Sequence, residues 1–356
     1  MTEHDDSEQL LAQVGEALAQ SRPLHIQGGN SKAFFGEPTT GELLDVTAHR
    51  GIINYEPTEL VLTARAGTSL TVVEQALAAE NQMLPYEPPN FTGDATIGGA
   101  VACGLSGPRR PWAGSARDLV LGLGLINGRG EQLRFGGQVM KNVAGYDVSR
   151  VVTGALGTLG VITYVSLKVL PRPERVSTHV LTLERGAAMQ QVEDWFRQGL
   201  PVSGAAHDGQ ALYLRLEGSD HAVSAADKAV DGDRLDDPDI WWVSLRDQRH
   251  PWFTATDEAP LWRISLPPLS PPLQLDGKEF HDWNGQLRWL RSRLPAAGIR
   301  ERAAALGGHA TLFRGDAGDA EVFHPLPAPV MKLQRRLKHA FDPHGIFNPG
   351  RLWREH

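Results

Sequence analysis

The sequence predicts an α+β protein of two lobes, and three observations lead there. Two glycine-rich segments, Gly28-Gly29 and Gly98-Gly99, fall in the first third of the chain, one just after a short apolar strand and one just before a run of small residues. From about residue 175 such loops stop, and β-segments alternate with helices. That order suits a mainly antiparallel sheet with helices on one face better than repeated parallel β-α-β units.

Leu11, Val14 and Leu18 recur at helical spacing, so 7–20 reads as an amphipathic helix that Pro23 ends. Leu24-His25-Ile26-Gln27 is a short strand, and 43–46, 52–55 and 60–65 are further ones. Thr71-Val72-Val73-Glu74 has the form of a capping box opening a helix to about Glu80. Residues 119–126 and 131–135, joined through Asn127-Gly128, read as a hairpin. Asp147 starts a helix carrying Val148, Val151 and Val152, and 161–170 is a strand closed by Pro171-Arg172-Pro173. Beyond it, strands are expected at 176–183, 211–216, 240–245, 261–266, 286–291 and 311–313, with two helices marked by Met189, Val192 and Trp195 and by 222–230. Leu333, Leu337 and Phe341 mark a last helix before the tail 342–350. The domain reading is 1–174, with subdomains near 1–65 and 66–174, then 175–325, then 326–356 returning to the first domain.

Composition narrows the function. Against 42 acidic residues stand 35 Lys and Arg, a formal charge of −7, which argues against a nucleic-acid footprint. The single cysteine, Cys103, allows no internal disulfide and cannot hold an iron–sulfur cluster, which needs about four thiolates. It lies among small residues and reads as a buried small hydrophobe in a protein of a reducing compartment. No stretch approaches the ~18 apolar residues of a membrane span, so a cytoplasmic protein is expected, with any membrane association made through partners. Six tryptophans, at 241, 242, 252, 262, 283 and 289, lie in the second lobe; they read as core or as a flat partner-binding surface.

A diphosphate needs inward-pointing backbone N–H groups with no side chains in the way, which glycine allows. The loop 27–32 follows a strand and the loop 95–99 precedes a helix, so a ligand clamped between two sub-sheets is one reading; two ordinary turns is the other. No P-loop pattern occurs, and Gly122-Leu123-Gly124 lacks the third glycine and the following helix of a Rossmann nucleotide site.

Six ordered segments carry a resemblance: 23–32 (PLHIQGGNSK), 93–99 (GDATIGG), 117–123 (RDLVLGL), 144–150 (AGYDVSR), 157–163 (GTLGVIT) and 341–351 (FDPHGIFNPGR). Together they resemble FAD-binding oxidoreductases of the vanillyl-alcohol-oxidase superfamily, whose PCMH-type FAD domain has two subdomains and carries a smaller, mainly antiparallel cap. The segments 141–147, 261–267 and 307–313 are similar to those of FAD-binding subunits of bacterial glycolate oxidases. The resemblance implies FAD as cofactor and oxidation of glycolate to glyoxylate, with electrons passed to a larger flavin-containing subunit and an iron–sulfur subunit. It also implies that Gln27, Gly28, Gly29, Asn30, Ser31 and Lys32 wrap the diphosphate. Gly93, Ala95, Thr96, Ile97, Gly98 and Gly99 would hold its other side, Pro89 and Gly157 would lie against the cofactor, Val161, Ile162 and Thr163 would meet the adenine end, and Asn348 would approach the isoalloxazine. Relatives that attach FAD covalently through the first loop carry histidine there; Asn30 in its place implies non-covalent FAD. Many relatives have a glutamate just before the Gly-Thr-Leu-Gly segment, where this chain has Leu156.

Oxidising a small 2-hydroxy acid needs a cation for its carboxylate, a base for its hydroxyl and orientation toward the flavin. Arg263, His309 and Arg314 are the candidates in the second lobe, each with a plain structural reading beside it. Larger hydroxy-acid dehydrogenases of the superfamily continue from Gly-His to a second histidine. Here Gly308-His309 runs into Ala310-Thr311-Leu312-Phe313, so no metal site is expected and the chain alone is not expected to hold a complete site. The alternatives are a stand-alone FAD dehydrogenase of another small hydroxy acid or alcohol, and a mainly structural flavoprotein subunit.

Overall fold

The structure, a computed structural model, describes residues 3–137, 147–255, 258–316 and 318–354. It divides into two compact units, one made of Met1–Ser106, Gly114–Pro171 and Pro325–His356 and the other of Gly107–Ala113 and Arg172–His324. The fold is the expected α+β class, with antiparallel sheets dominating. Residues 141–146 of the resemblance segments 141–147 and 144–150 lie outside the described residues.

The first unit holds two sub-sheets. A parallel pair, Leu24–Gln27 with Glu42–Asp45, packs with the helix Ser7–Ala19 through Leu10, Val14, Leu24 and Leu44. The other is five-stranded and antiparallel, in the order Ile52–Glu56, Val61–Arg65, Val161–Lys168, Val120–Ile126, Gln132–Gly136. The helix against it begins earlier than its capping-box pattern predicted. Ser69 is the N-cap, its hydroxyl accepting from the Val72 amide, so that Leu70, Val73 and Leu77 point into the core at helical spacing.

The C-terminal helix Ala328–Phe341 leads into a tail that joins the parallel pair. Leu24 N–H donates to Ile346 O at 2.7 Å, and Asn348 N–H donates to Leu24 O at 2.9 Å. Asp342, fully buried, fixes the bend: its carboxylate accepts from the amides of Ile346 (3.1 Å) and Phe347 (2.8 Å) and from Lys338 Nζ (2.6 Å). Lys338 also donates to the carbonyls of Thr158 and Phe347. Burial lowers the Lys338 pKa, and Asp342 opposes the shift.

The second unit is an eight-stranded antiparallel sheet in the order Asp233–Arg234, Arg175–Leu181, Leu212–Gly218, Val202–His207, Lys278–Asp282, Leu287–Arg291, Leu261–Ser265, His309–Arg314. The strand expected at 240–245 is instead the helix Pro238–Arg246. Pro238 occupies its first turn, where the missing N–H costs nothing, and Trp242 and Leu245 bury three residues apart. The strands Val202–His207 and Lys278–Asp282 and the helix Ala296–Ala305 were not expected, and helices outnumber the two foreseen. Trp242, Trp262, Trp283 and Trp289 are buried, so most of the tryptophan group is core.

Asp342→Ala removes one partner of a buried ion pair and orphans two amides. It is expected to cost about 3 kcal/mol and to loosen the tail, read as a lower urea midpoint together with weaker flavin retention. A midpoint within about 0.5 kcal/mol of wild type would show that the tail is held by other contacts.

Candidate cofactor site

One cleft in the first unit is lined by residues of the segments His25–Ala33, Thr96–Cys103 and Leu156–Ile162, by Val46 and Ala66, and by Asn348 with Arg351. Gln27, Gly28, Gly29, Asn30, Ser31, Lys32, Thr96, Gly98, Gly99, Gly157, Ile162 and Asn348 all border it. The two glycine-rich loops meet directly. A Cβ on Gly29 would sit 1.5 Å from the Asp94 carbonyl oxygen, and one on Gly28 would sit 2.5 Å from Thr96 Oγ1. These glycines therefore allow the loops to touch each other, as well as a ligand to approach.

Among the described residues, the backbone N–H groups of Gly28, Gly29, Asn30 and Ser31 donate to no protein atom. Asn30 has φ +55°, a left-handed conformation that Asn adopts more readily than most residues, and it turns the loop. Lys32 is buried at the end of this run; its ammonium donates to Ser31 Oγ at 3.2 Å and lies 5.5 Å from the Phe91 ring centroid. Arg351 supplies a second cation, held in place by donating to the carbonyls of Ala33, Phe35 and Glu37. Four undonated amides with two cations suit a diphosphate, which is doubly charged and carries many acceptor oxygens.

Asn348 closes the far side. Its Oδ1 accepts from Ile26 N–H and its Nδ2 donates to Leu156 O, each at 2.7 Å. Its own φ is +40°. The Gly157 Cβ position lies 2.7 Å from Nδ2, so only glycine leaves room for this side chain. Leu156, itself left-handed, lines the cleft and offers Asn348 a main-chain acceptor.

Other expected contacts lie elsewhere. Ala95, Ile97 and Val161 are in the core, Pro89 is buried away from the cleft lining, and Gly93 is exposed. Thr163 is on the central strand, where its carbonyl accepts from Ala66 N–H. Cys103 is not the fully buried hydrophobe expected: it lines the cleft, and burial raises its thiol pKa, with Lys32 and Arg351 opposing. His25, Val46, Ala66, Ala102, Gly160 and Arg351 were not singled out from the sequence, although Arg351 closes the last resemblance segment and was legible in that sense.

In the second unit, Arg263 and His309 share one sheet face: Ser265 pairs with His309, and Arg263 pairs with Thr311 two positions along. Arg314 pairs with Leu261 beyond a register shift, over the Phe313 ring and near Arg291. Among the described residues, no group of His, Cys, Asp or Glu could hold a metal ion.

The two sub-sheets and the cleft between glycine loops define an FAD-binding flavoprotein of the PCMH type. A family described as an FAD binding domain matches residues 3–136. Glycolate oxidase subunit GlcE of Escherichia coli (strain K12) is 49% identical over 356 residues, covering 100% of this chain and 99% of that one. Glycolate oxidase subunit GlcD of Bacillus subtilis (strain 168) is 36% identical over 159 residues, 44% of this chain and 34% of that one. Among solved structures, an alkyldihydroxyacetonephosphate synthase superposes with a TM-score of 0.68 at 14% identity, over 98% of this chain and 75% of that one, a likeness of fold. The chain belongs to the glycolate oxidase subunit GlcE family, and its cofactor is FAD.

Gly29→Ala drives a methyl group into the Asp94 carbonyl and forces the loops apart. The purified variant is expected to lose most of its flavin, read as the ratio of 450 nm to 280 nm absorbance (about tenfold lower,), with the second unit still folded. Flavin occupancy equal to wild type would show that the loops do not jointly hold the cofactor.

Proposed function

We propose that this chain is the FAD-carrying subunit of a glycolate-oxidising complex, and that it works beside a larger flavin-containing subunit and an iron–sulfur subunit. The observation that carries the reading is the cleft, where two glycine loops converge and the amides of residues 28–31, which donate to no protein atom, lie beside the cations Lys32 and Arg351. Full-length likeness to a glycolate oxidase subunit supports the substrate. Partial likeness to the GlcD subunit supports a multi-subunit setting.

In this reading, Gln27 to Lys32 bind the diphosphate of FAD through main-chain donors, with the Lys32 ammonium neutralising charge. Thr96, Gly98 and Gly99 cover its other side, and Asn348 fixes the strand and loop that border the cleft. Bound FAD supplies two-electron redox chemistry. With Asn30 in the first loop, the cofactor is held without a covalent bond. Arg263 and His309 are the groups in this chain that suit a hydroxy acid, the first for its carboxylate and the second as base. Burial, together with Arg263, His324 and Arg110, lowers the His309 pKa, so the imidazole is neutral and able to accept a proton near pH 7. Among the described residues, no helix is long and apolar enough to cross a membrane; association with a membrane through the partner subunits is part of the proposal.

Acid precipitation of the purified chain is expected to leave all flavin in the supernatant; flavin in the pellet would contradict non-covalent binding. Anaerobic mixing of the assembled complex with glycolate is expected to bleach the flavin of this chain. If that flavin stays oxidised while partner subunits turn over, the chain serves assembly rather than electron transfer. Bleaching by another small hydroxy acid or alcohol but not by glycolate would make it a dehydrogenase of that substrate.

A further inference from the structure

The helix Ala328–Phe341 is held to the first unit by one face. Leu337 and Phe341 pack against the main core of that unit, the Phe341 ring lying 6.2 Å from that of Phe135, and Lys338 pairs with the buried Asp342. The outward face is left to solvent. Lys332, Leu333, Arg336, His339 and Ala340 are exposed there. Leu333 is 63% exposed, and Val330, one turn before it, is 41% exposed.

The charge of this helix is one-sided. It contains Lys332, Arg335, Arg336 and Lys338 and no acidic residue, in a chain whose formal charge is −7. Lys332 and Arg336 are four residues apart and so neighbours on the helix surface, a like-charge pair that weakens a helix. The helix dipole favours cations in the last turn, where Lys338 and His339 lie, and gives no reason for Lys332 near the start. Among the described residues, the side chains of Lys332 and Arg336 make no hydrogen bond or ion pair within the chain.

A lone exposed leucine is ordinary. Here a leucine and a valine stand one turn apart, beside cations that no acid relieves, on a helix whose other face is already anchored. That is the make-up of a helix lying in a membrane interface. Two kinds of surface carry the complementary charge, an acidic protein and an anionic lipid, and the composition favours lipid. Protein interfaces are rich in phenylalanine, tyrosine and tryptophan and poor in lysine. The outward face carries Lys332 and none of those three aromatics, since the helix's one such residue, Phe341, packs inward. A lipid surface also needs no shape match, which suits the bare side of a helix.

We propose that the outward face of Ala328–Phe341 rests on an anionic phospholipid surface, with Lys332 and Arg336 on the headgroup phosphates and Leu333 reaching between the headgroups toward the acyl chains. The contact is peripheral, in keeping with the absence, among the described residues, of a helix long and apolar enough to cross a membrane. It goes beyond association through partner subunits, and it stands whether or not the complex oxidises glycolate.

The test is co-sedimentation of the full-length, flavin-loaded chain with vesicles in low-salt buffer, using equal parts phosphatidylglycerol and phosphatidylcholine against phosphatidylcholine alone. Wild type is expected to sediment with the anionic vesicles, to stay in solution with the zwitterionic ones, and to be released as added salt screens the charge. The double variant Lys332→Gln, Arg336→Gln is expected to bind about thirtyfold more weakly, and Leu333→Ser about tenfold more weakly. Arg336→Lys, which keeps the charge, is expected to stay within about threefold of wild type. All three positions are exposed, so flavin content and melting temperature are expected to match wild type in every variant. No sedimentation of wild type with anionic vesicles, equal sedimentation with both compositions, or wild-type affinity in the double variant overturns the proposal. Wild-type affinity in Leu333→Ser overturns the apolar anchor. Absence of vesicle binding together with a double variant that no longer assembles with partner subunits, or no longer self-associates, would assign the face to an acidic protein and overturns the lipid contact as well. The glycolate reading fails separately, through flavin that stays oxidised in the assembled complex, an outcome that leaves the vesicle result intact.

Discussion

The cofactor cleft depends on one side chain. Asn348 joins the first strand to the loop at Leu156, across sequence separations of 322 and 192 residues, with one hydrogen bond from each end of its amide. An aspartate could accept from Ile26 but could not donate to Leu156 O, and a leucine would leave both main-chain groups unsatisfied inside the protein. Its left-handed φ adds a further restriction that Asn meets more readily than most residues. Gly157 is the matching concession, since any Cβ there would collide with the amide. The Asp342–Lys338 pair supports the arrangement from behind by bending the tail that brings Asn348 into place.

The sheet around this joint does little chemistry itself. It brings loops from distant parts of the chain to one place, and the loops present main-chain donors. That division explains why Gly28 and Gly29 are needed twice. They leave amides uncovered, and they let the loop rest directly against Asp94 and Thr96. The second unit gathers charged side chains on its sheet. There Arg109 pairs with Glu217, and Arg110 and Arg263 lie over the Trp283 ring.

Much of this was legible in the sequence, for identifiable reasons. Glycine pairs beside strands, and an Asn near the end of a tail segment, report local backbone needs, and local needs survive in sequence. The first helix, the strands at 161–168 and 261–265 and the helix after Ser219 have clean periodicity and lie where expected. The region 238–246 misled because Ile240, Trp241, Trp242 and Val243 form an unbroken bulky run that suits a strand, and the helix is decided by Pro238 and by burial of Trp242 and Leu245 three residues apart. Lys278–Asp282 was hidden because its charged residues mask the strand pattern; the pairing with Leu287–Arg291 supplies what alternation does not. The Arg110–Trp283–Arg263 cluster could not be read at all, because its members are far apart in sequence and meet only through tertiary structure.

The central claim is that the amides of residues 28–31 face the cofactor rather than the protein. Hydrogen exchange followed by mass spectrometry, on the chain stripped of FAD and then reloaded, tests it directly. The account predicts that the peptide covering these residues exchanges fast without FAD and slows by at least about tenfold when FAD returns, while the strands of the second unit are unchanged. Equal exchange in both states would contradict it, because those donors would then have no partner in the bound cofactor.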